Sequence, residues 1–182
     1  NEDGKGFAMK FEDKEDITCA MTGALAHRKQ CETIPYTPKE YGDDAKRVYD
    51  AGGAVVHIHA REEDGTPSLR PEMYRREMEE IRARCPIIVN FSTGAIGVPP
   101  EERIAHIREL RPDIGALNMG SVNYLKYSSK RKQFVWDFTF QNNMSEIMFF
   151  VNEMNKAGVK PECECFDTGH VNNSHHLIEM GV

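Results

Sequence analysis

The sequence predicts an α/β fold of the (β/α)8 TIM-barrel class, with the first five β-strands and their helices present: an incomplete barrel. Three observations lead there. Short apolar runs of β-forming residues alternate strictly with stretches of amphipathic helical spacing. The units are about thirty residues or more, which requires right-handed crossovers and a parallel sheet. Each apolar run turns polar only near its carboxyl end, where barrel enzymes collect their active-site groups. Finally, neither a GxGxxG nor a Walker phosphate loop follows any run, so the doubly wound alternative lacks its nucleotide-binding fingerprint.

Residues 1–16 read as an N-terminal tail, polar and Gly-rich at its start, and 17–182 as the partial barrel domain. Ile17–Met21 is the first strand. A long loop opening with Thr22-Gly23-Ala24 leads to a helix starting near Pro38, which suits a first helical turn because the N–H it lacks would have no helical partner there. Gly52-Gly53 stop that helix after Ala51. The second strand is Ala54–Ala60, followed by an acidic turn and a helix from Pro71 to Arg84. The third strand, Pro86–Ser92, precedes a helix over Pro99–Leu110. The fourth, Ile114–Met119, precedes a long loop carrying Tyr124, Tyr127 and the single Trp136. A helix over Ser145–Ala157 closes at Gly158, the fifth strand is Lys160–Phe166, and a last helix begins near Asn173. A closed barrel has eight strands and typically about 250 residues. Five strands in 182 residues are therefore expected to be a fragment, a truncated product or one piece of a longer protein, with strands one and five as unpaired edges.

Composition narrows the class of function. The net charge of −6 argues against coating nucleic acid, since no basic stripe offsets it. The densest basic stretch, Lys126 to Lys132, reads as a solvated loop, with an anionic ligand such as phosphate as the sharper alternative. No apolar run approaches the roughly 20 residues that cross a bilayer, and no basic-then-apolar leader suggests secretion. The five cysteines match no disulfide framework, so a reducing cytoplasm is the expected location. Cys163 and Cys165 share a strand face and are expected to be buried small apolar residues.

The polar strand ends carry the candidate chemistry. His57 and His59 are two apart on the second strand, so both imidazoles point to one face and can hold one metal ion. A catalytic zinc needs a third protein ligand and an open position; Glu164 and His170 are the local candidates. Asn90 and Ser92 share a face of the third strand, Glu162 and Glu164 of the fifth. Glu164, partly desolvated in a barrel mouth, is expected to have a raised pKa and to act as acid or base. Ser92-Thr93-Gly94 offers hydroxyls and N–H groups to a carboxylate or oxyanion, and Asn118, Gly120 and Ser121 stand where substrate would pass. Asp167-Thr168-Gly169 reads as turn chemistry and His175-His176 as surface.

Taken in order, Thr22-Gly-Ala24, Val56-His-Ile-His-Ala-Arg61, Asn90-Phe-Ser-Thr-Gly94, Leu117-Asn-Met-Gly-Ser121 and Glu162-Cys-Glu-Cys-Phe-Asp-Thr-Gly-His170 resemble the β-keto acid cleavage enzyme family, of the 3-keto-5-aminohexanoate cleavage type. The resemblance implies a zinc (β/α)8 barrel that condenses a small-molecule β-keto acid with acetyl-CoA and releases acetoacetate and a new acyl-CoA. It implies His57 and His59 as metal ligands, Ser92 and Glu164 as catalytic residues, and Thr93, Gly94, Asn118 and Gly120 as substrate-binding ones. A homo-oligomer is expected, without nucleic-acid or membrane partners. The family's third ligand, a glutamate in a Gly-Leu-Glu-Asp segment beside a catalytic aspartate, would lie beyond Val182. Directly after Thr22-Gly23-Ala24 stands Leu25-Ala26 and not the acidic residue with which the family can grip a substrate amino group, which speaks against an aminated substrate. Two other readings stand beside this one: an amidohydrolase-like metal-dependent hydrolase, and a non-catalytic barrel fragment. Amidohydrolase barrels usually carry HxH on the first strand and a lysine on the fourth, and neither is found here.

Overall fold

The computed structural model describes residues 15–182, so nearly all of the tail expected over 1–16 lies outside the described residues. Five strands form one parallel sheet: β1 (Thr18–Ala20), β2 (Val55–Ile58), β3 (Ile88–Phe91), β4 (Ile114–Asn118) and β7 (Lys160–Glu164), side by side in that order. The helices between them are α1 (Pro38–Asp50), α2 (Pro71–Arg82), α3 (Pro100–Leu110) and α4 (Met144–Ala157), and α5 (Thr168–Met180) follows β7. Strand order never reverses, and consecutive helices pack on one another, α1 on α2, α2 on α3 and α3 on α4. A doubly wound sheet would split its helices between two faces. This singly wound arrangement is compatible with part of a (β/α) barrel.

Side-chain alternation explains the two faces. Val56 and Ile58 of β2, Val89 and Phe91 of β3 and Leu117 of β4 join one buried cluster with Tyr41, Met73, Ile81, Ile104, Ile147 and Phe150 of the helices. Burying one such side chain contributes about 1.5–3 kcal/mol, so this layer holds the fold together. Their neighbours in sequence, His57, Asn90, Asn118, Glu162 and Glu164, therefore fall on the other, concave face. A space of about 480 Å³ on that face is lined by Thr18 and Ala20 of β1 and by Glu162 and Glu164 of β7, so the two edge strands look into the same hollow.

The helix ends follow sequence cues. Thr37 caps α1 in a capping box with Glu40, with Pro38 in the first turn, and Asn143 caps α4 in the same way with Glu146; each cap contributes about 1 kcal/mol. Gly158 closes α4 at φ 72, a left-handed conformation that only glycine adopts freely.

Three expectations are corrected. The segment read as a long loop after β4 is a β-hairpin of β5 (Val122–Ser128) and β6 (Gln133–Phe140), an antiparallel pair outside the main sheet. Aromatic and β-branched residues alternate with polar ones in both arms, and Tyr124 stacks on Phe138 across them at 5.6 Å. The exposed Lys126, Lys130, Arg131 and Lys132 lie towards its tip, so the solvated reading of that stretch holds. Next, the last helix begins at Thr168, because the Asp167 carboxylate accepts the His170 N–H at 2.9 Å and caps it; what looked like a turn is an N-cap. Finally, Cys163 and Cys165 are exposed. Among the described residues β7 is an edge strand, and from α5 a Ser174 hydroxyl lies 3.4 Å from the Cys165 sulfur.

Candidate active site

β2 delivers its histidines from a strand whose four residues are all buried. His57 is its third residue and His59 stands just past its end, and their Nε2 atoms lie 3.2 Å apart. The His59 peptide is fixed on both sides. Its carbonyl accepts from the Tyr41 hydroxyl at 2.6 Å and from the Thr22 hydroxyl at 3.2 Å, and its N–H donates to the Thr22 oxygen at 3.3 Å. Burial pushes the His57 pKa down, opposed by the nearby Glu162. Burial, then the proximity of His57, pushes His59 to about 3. Both imidazoles are therefore neutral near pH 7, the form in which histidine binds a metal.

β7 faces them with two carboxylates. His57, Glu162 and Glu164 each place a donor atom within 4.8 Å of the others, the group of this kind found among the described residues. Burial, then the neighbouring Glu162, raises Glu164 to about 7, as its place in the mouth led us to expect. Glu162 accepts a hydrogen bond from the Asn90 amide of β3. Three side-chain atoms here are buried without a partner in the chain: His57 Nδ1, Asn90 Oδ1 and Asn118 Oδ1. Orphaned polar atoms in one place mark a site shaped for something else to bind.

Above these groups lies a cavity of about 650 Å³, lined by His57, His59, Ser92, Gly94, Asn118 and Glu164 from the strand ends. Ser92 is buried, and its hydroxyl oxygen accepts the Gly94 N–H at 3.2 Å, which leaves its O–H free to donate. Its carbonyl is held by Tyr74 OH at 3.3 Å and His106 Nε2 at 2.9 Å, and these two rings stack at 4.1 Å. Burial holds the His106 pKa down to about 4, so this support is uncharged.

The profile of the beta-keto acid cleavage enzymes matches residues 15–182. The chain belongs to this family. Among relatives of known function, the 3-keto-5-aminohexanoate cleavage enzyme of Acetoanaerobium sticklandii is 36% identical over 91% of this chain and 57% of its own length. The 3,5-dioxohexanoate:acetyl-CoA acetone transferase of Paraburkholderia graminis is 31% identical over 96% of this chain and 61% of its own. The 3-dehydrocarnitine:acetyl-CoA trimethylamine transferase of Rhizobium meliloti is 31% identical over 91% and 60%. The chain thus spans about 60% of the length of these relatives.

Within this family member, six of the residues singled out from sequence meet at one cavity: His57, His59, Ser92, Gly94, Asn118 and Glu164. Thr93 and Gly120 stand behind it. The Thr93 hydroxyl donates to the Ala116 carbonyl at 2.6 Å, tying β3 to β4. Gly120 packs under the His170 ring, where a Cβ would come within 2.5 Å. His170 itself has no lone pair left for a metal, because Nδ1 accepts the Phe166 N–H and Nε2 donates to the Ser121 carbonyl. His175 and His176 are exposed, beside Glu179. The HxH stands on β2, and β4 brings no lysine, so neither feature of an amidohydrolase barrel is present among the described residues.

Two groups escaped the sequence reading. Tyr124, Phe138 and Phe140 of the hairpin form one wall of the cavity; the alternation in 122–128 and 133–140 was the available signal. Glu77 of α2 is fully buried and accepts the Arg61 N–H at 3.2 Å, with its pKa raised to about 8 by burial. A carboxylate on the apolar face Met73-Tyr74-Glu77-Met78-Ile81 was its signal. The buried Arg61 spreads its guanidinium between the carbonyls of Gly65, at 2.6 Å, and Gly23, joining the loops after β2 and β1.

Proposed function

We propose that this chain carries the zinc-binding pair and the general base of a β-keto acid cleavage enzyme built as a (β/α)8 barrel. The observation that carries the reading is the convergence of the His57–His59 pair and Glu164 on one cavity. In a tetrahedral site with Zn–N of about 2.0–2.1 Å, two ligand nitrogens stand about 3.3 Å apart. The observed 3.2 Å fits, and two neutral ring nitrogens suit zinc chemically. Acetyl-CoA as co-substrate is supported by the relatives whose names join it to 3,5-dioxohexanoate and to 3-dehydrocarnitine.

Bound zinc would supply a Lewis acid that polarises a carbonyl and acidifies the carbon beside it. Glu164, poised near neutrality by burial, takes the proton from C2 of the β-keto acid. The C2 carbanion attacks the thioester carbonyl of acetyl-CoA and displaces the CoA thiolate. The thiolate then adds to the C3 carbonyl, the C2–C3 bond breaks, and C2 leaves as acetoacetate after recovering a proton. The acyl group R–CO leaves on CoA, so a β-keto acid and acetyl-CoA become acetoacetate and acyl-CoA. The free Ser92 hydroxyl is the donor available to the substrate carboxylate, and the partnerless Asn118 Oδ1 stands beside it as an acceptor. Thr93 and Gly120 keep β3, β4 and the His170 ring in place around it.

The test is elemental analysis of the purified protein, paired with acetoacetate release from acetyl-CoA and a panel of β-keto acids. About one zinc per chain is expected, with its loss in the His57→Ala/His59→Ala double variant. Stoichiometric zinc in that variant would remove the site. Zinc retained by the wild type without acetoacetate from any acid would leave a metal-binding barrel piece without this catalysis.

A further inference from the structure

Beside its polar groups the cavity carries a second kind of lining: Leu25 from the loop after β1, Ile96 and Val98 from the loop after β3, Phe138 and Phe140 of the hairpin and Phe166 after β7. Leu25 is 55%, Ile96 50% and Phe166 55% exposed. Water disfavours large apolar side chains gathered in this way, and such gatherings on a cavity mark what the cavity takes in. Among the described residues that line it, Glu164 is the one carboxylate, and there is no lysine or arginine. A charged group set against these side chains would shed its hydration and meet, among the described lining residues, no counter-charge but Glu164. For the acid head the same lining offers the Ser92 hydroxyl as donor, which leaves the apolar side chains to the rest of the substrate.

We propose that this apolar lining is a hydrocarbon-tail subsite, and that the substrate is a β-keto acid whose substituent at C3 is uncharged and apolar, with the β5–β6 hairpin as its specificity wall. The inference rests on the cleavage reading above and names its substrate class.

The test compares three β-keto acids of equal length, ending in a methyl, a carboxylate or an ammonium group, each with acetyl-CoA, in the protein that carries this chain. The methyl-ended acid should lead in kcat/KM by roughly tenfold or more, since single apolar groups in such pockets discriminate by about 10–200-fold. Leu25→Lys places a cation at the partly exposed rim, where folding tolerates it, and should move the preference towards the carboxylate-ended acid. Equal or better turnover of a charged-tail acid by the wild type would overturn the subsite while leaving the cleavage reading intact. An unchanged tail ranking in Leu25→Lys together with a raised KM for acetyl-CoA would assign the wall to the thioester arm and overturn it too. No acetoacetate from any of the three would overturn both.

Discussion

β2 and β7 each bring two polar side chains, two residues apart, to the concave face of the sheet, His57 and His59 on one, Glu162 and Glu164 on the other, yet they hold them differently. β2 is flanked by β1 and β3, buried throughout, and its exit is clamped by Tyr41 and Thr22. Behind it, Arg61 and Glu77 form a further buried layer. β7 pairs with β4 alone, alternates between half-buried and exposed, and is tied at Glu164 by a Met119 N–H at 3.0 Å. Among the described residues β2 is thus held on both sides and β7 on one; on the proposed reading the first carries the groups that would have to stand at fixed separation and the second the group that would trade a proton. Ligands gain from preorganisation in proportion to how little they move, whereas a base must be reached by substrate.

The comparison can be broken by measurement. Phe91→Ala empties a fully buried site beside β2 and should cost about 3–5 kcal/mol in denaturant unfolding; a cost under about 1 kcal/mol would deny that the β2–β3 region is the rigid one. Glu77 gives a pH signature. Its folded pKa, about 8, lies above its ordinary 4.5, so the native state binds the extra proton. The stability this brings is complete below pH 4.5 and is lost as pH rises towards 8, by on the order of a few kcal/mol. Glu77→Gln should flatten that decline, and parallel curves for wild type and variant would show that the buried carboxyl is not its source. On the open strand, Glu164→Gln should keep fold and zinc while acetoacetate release falls by roughly a hundredfold. Loss of zinc with activity would make Glu164 a ligand instead, and unchanged turnover would place the base elsewhere. Cys163→Ser, on the exposed face of β7, should shift stability by no more than about 0.5 kcal/mol; a shift as large as that of Phe91→Ala would erase the contrast.

Much of this was legible in the sequence because the signals were local. Strands β2 and β3 announce themselves by apolar runs, and a period of two places His57 with His59 and Asn90 with Ser92 without reference to any distant residue. Helix starts at Pro38 and stops at Gly158 follow from backbone chemistry in the same way. What was not legible depends on partners far along the chain. His170 offered itself as a ligand until the fold brought the Ser121 carbonyl to its Nε2. The Thr93 hydroxyl donates to the Ala116 carbonyl of β4, a partner that no local pattern announces. Cys163 and Cys165 look like core residues in any strand, and only the sheet order reveals that theirs is an edge. The hairpin is hidden for another reason: a (β/α) unit calls for a loop after β4, and the aromatic alternation within 122–140 is too short and irregular to override that expectation.

That hairpin leaves and re-enters the fold almost at a point. Val122 pairs with Phe140, so the arms depart β4 and return to α4 side by side, and the seam is stitched by the Asn142 N–H donating to the Ser121 hydroxyl at 2.9 Å and the Asn142 amide donating to the Asn118 carbonyl. None of its backbone ladder belongs to the main sheet. The chain has in effect a detachable die set into a fixed press: the hairpin can be lengthened, shortened or re-faced with other side chains while β4, β7 and the groups at their ends stay in register. A lineage could thus reshape that wall of the cavity at the cost of some nineteen residues' worth of change, from Val122 to Phe140, and leave His57, His59 and Glu164 untouched.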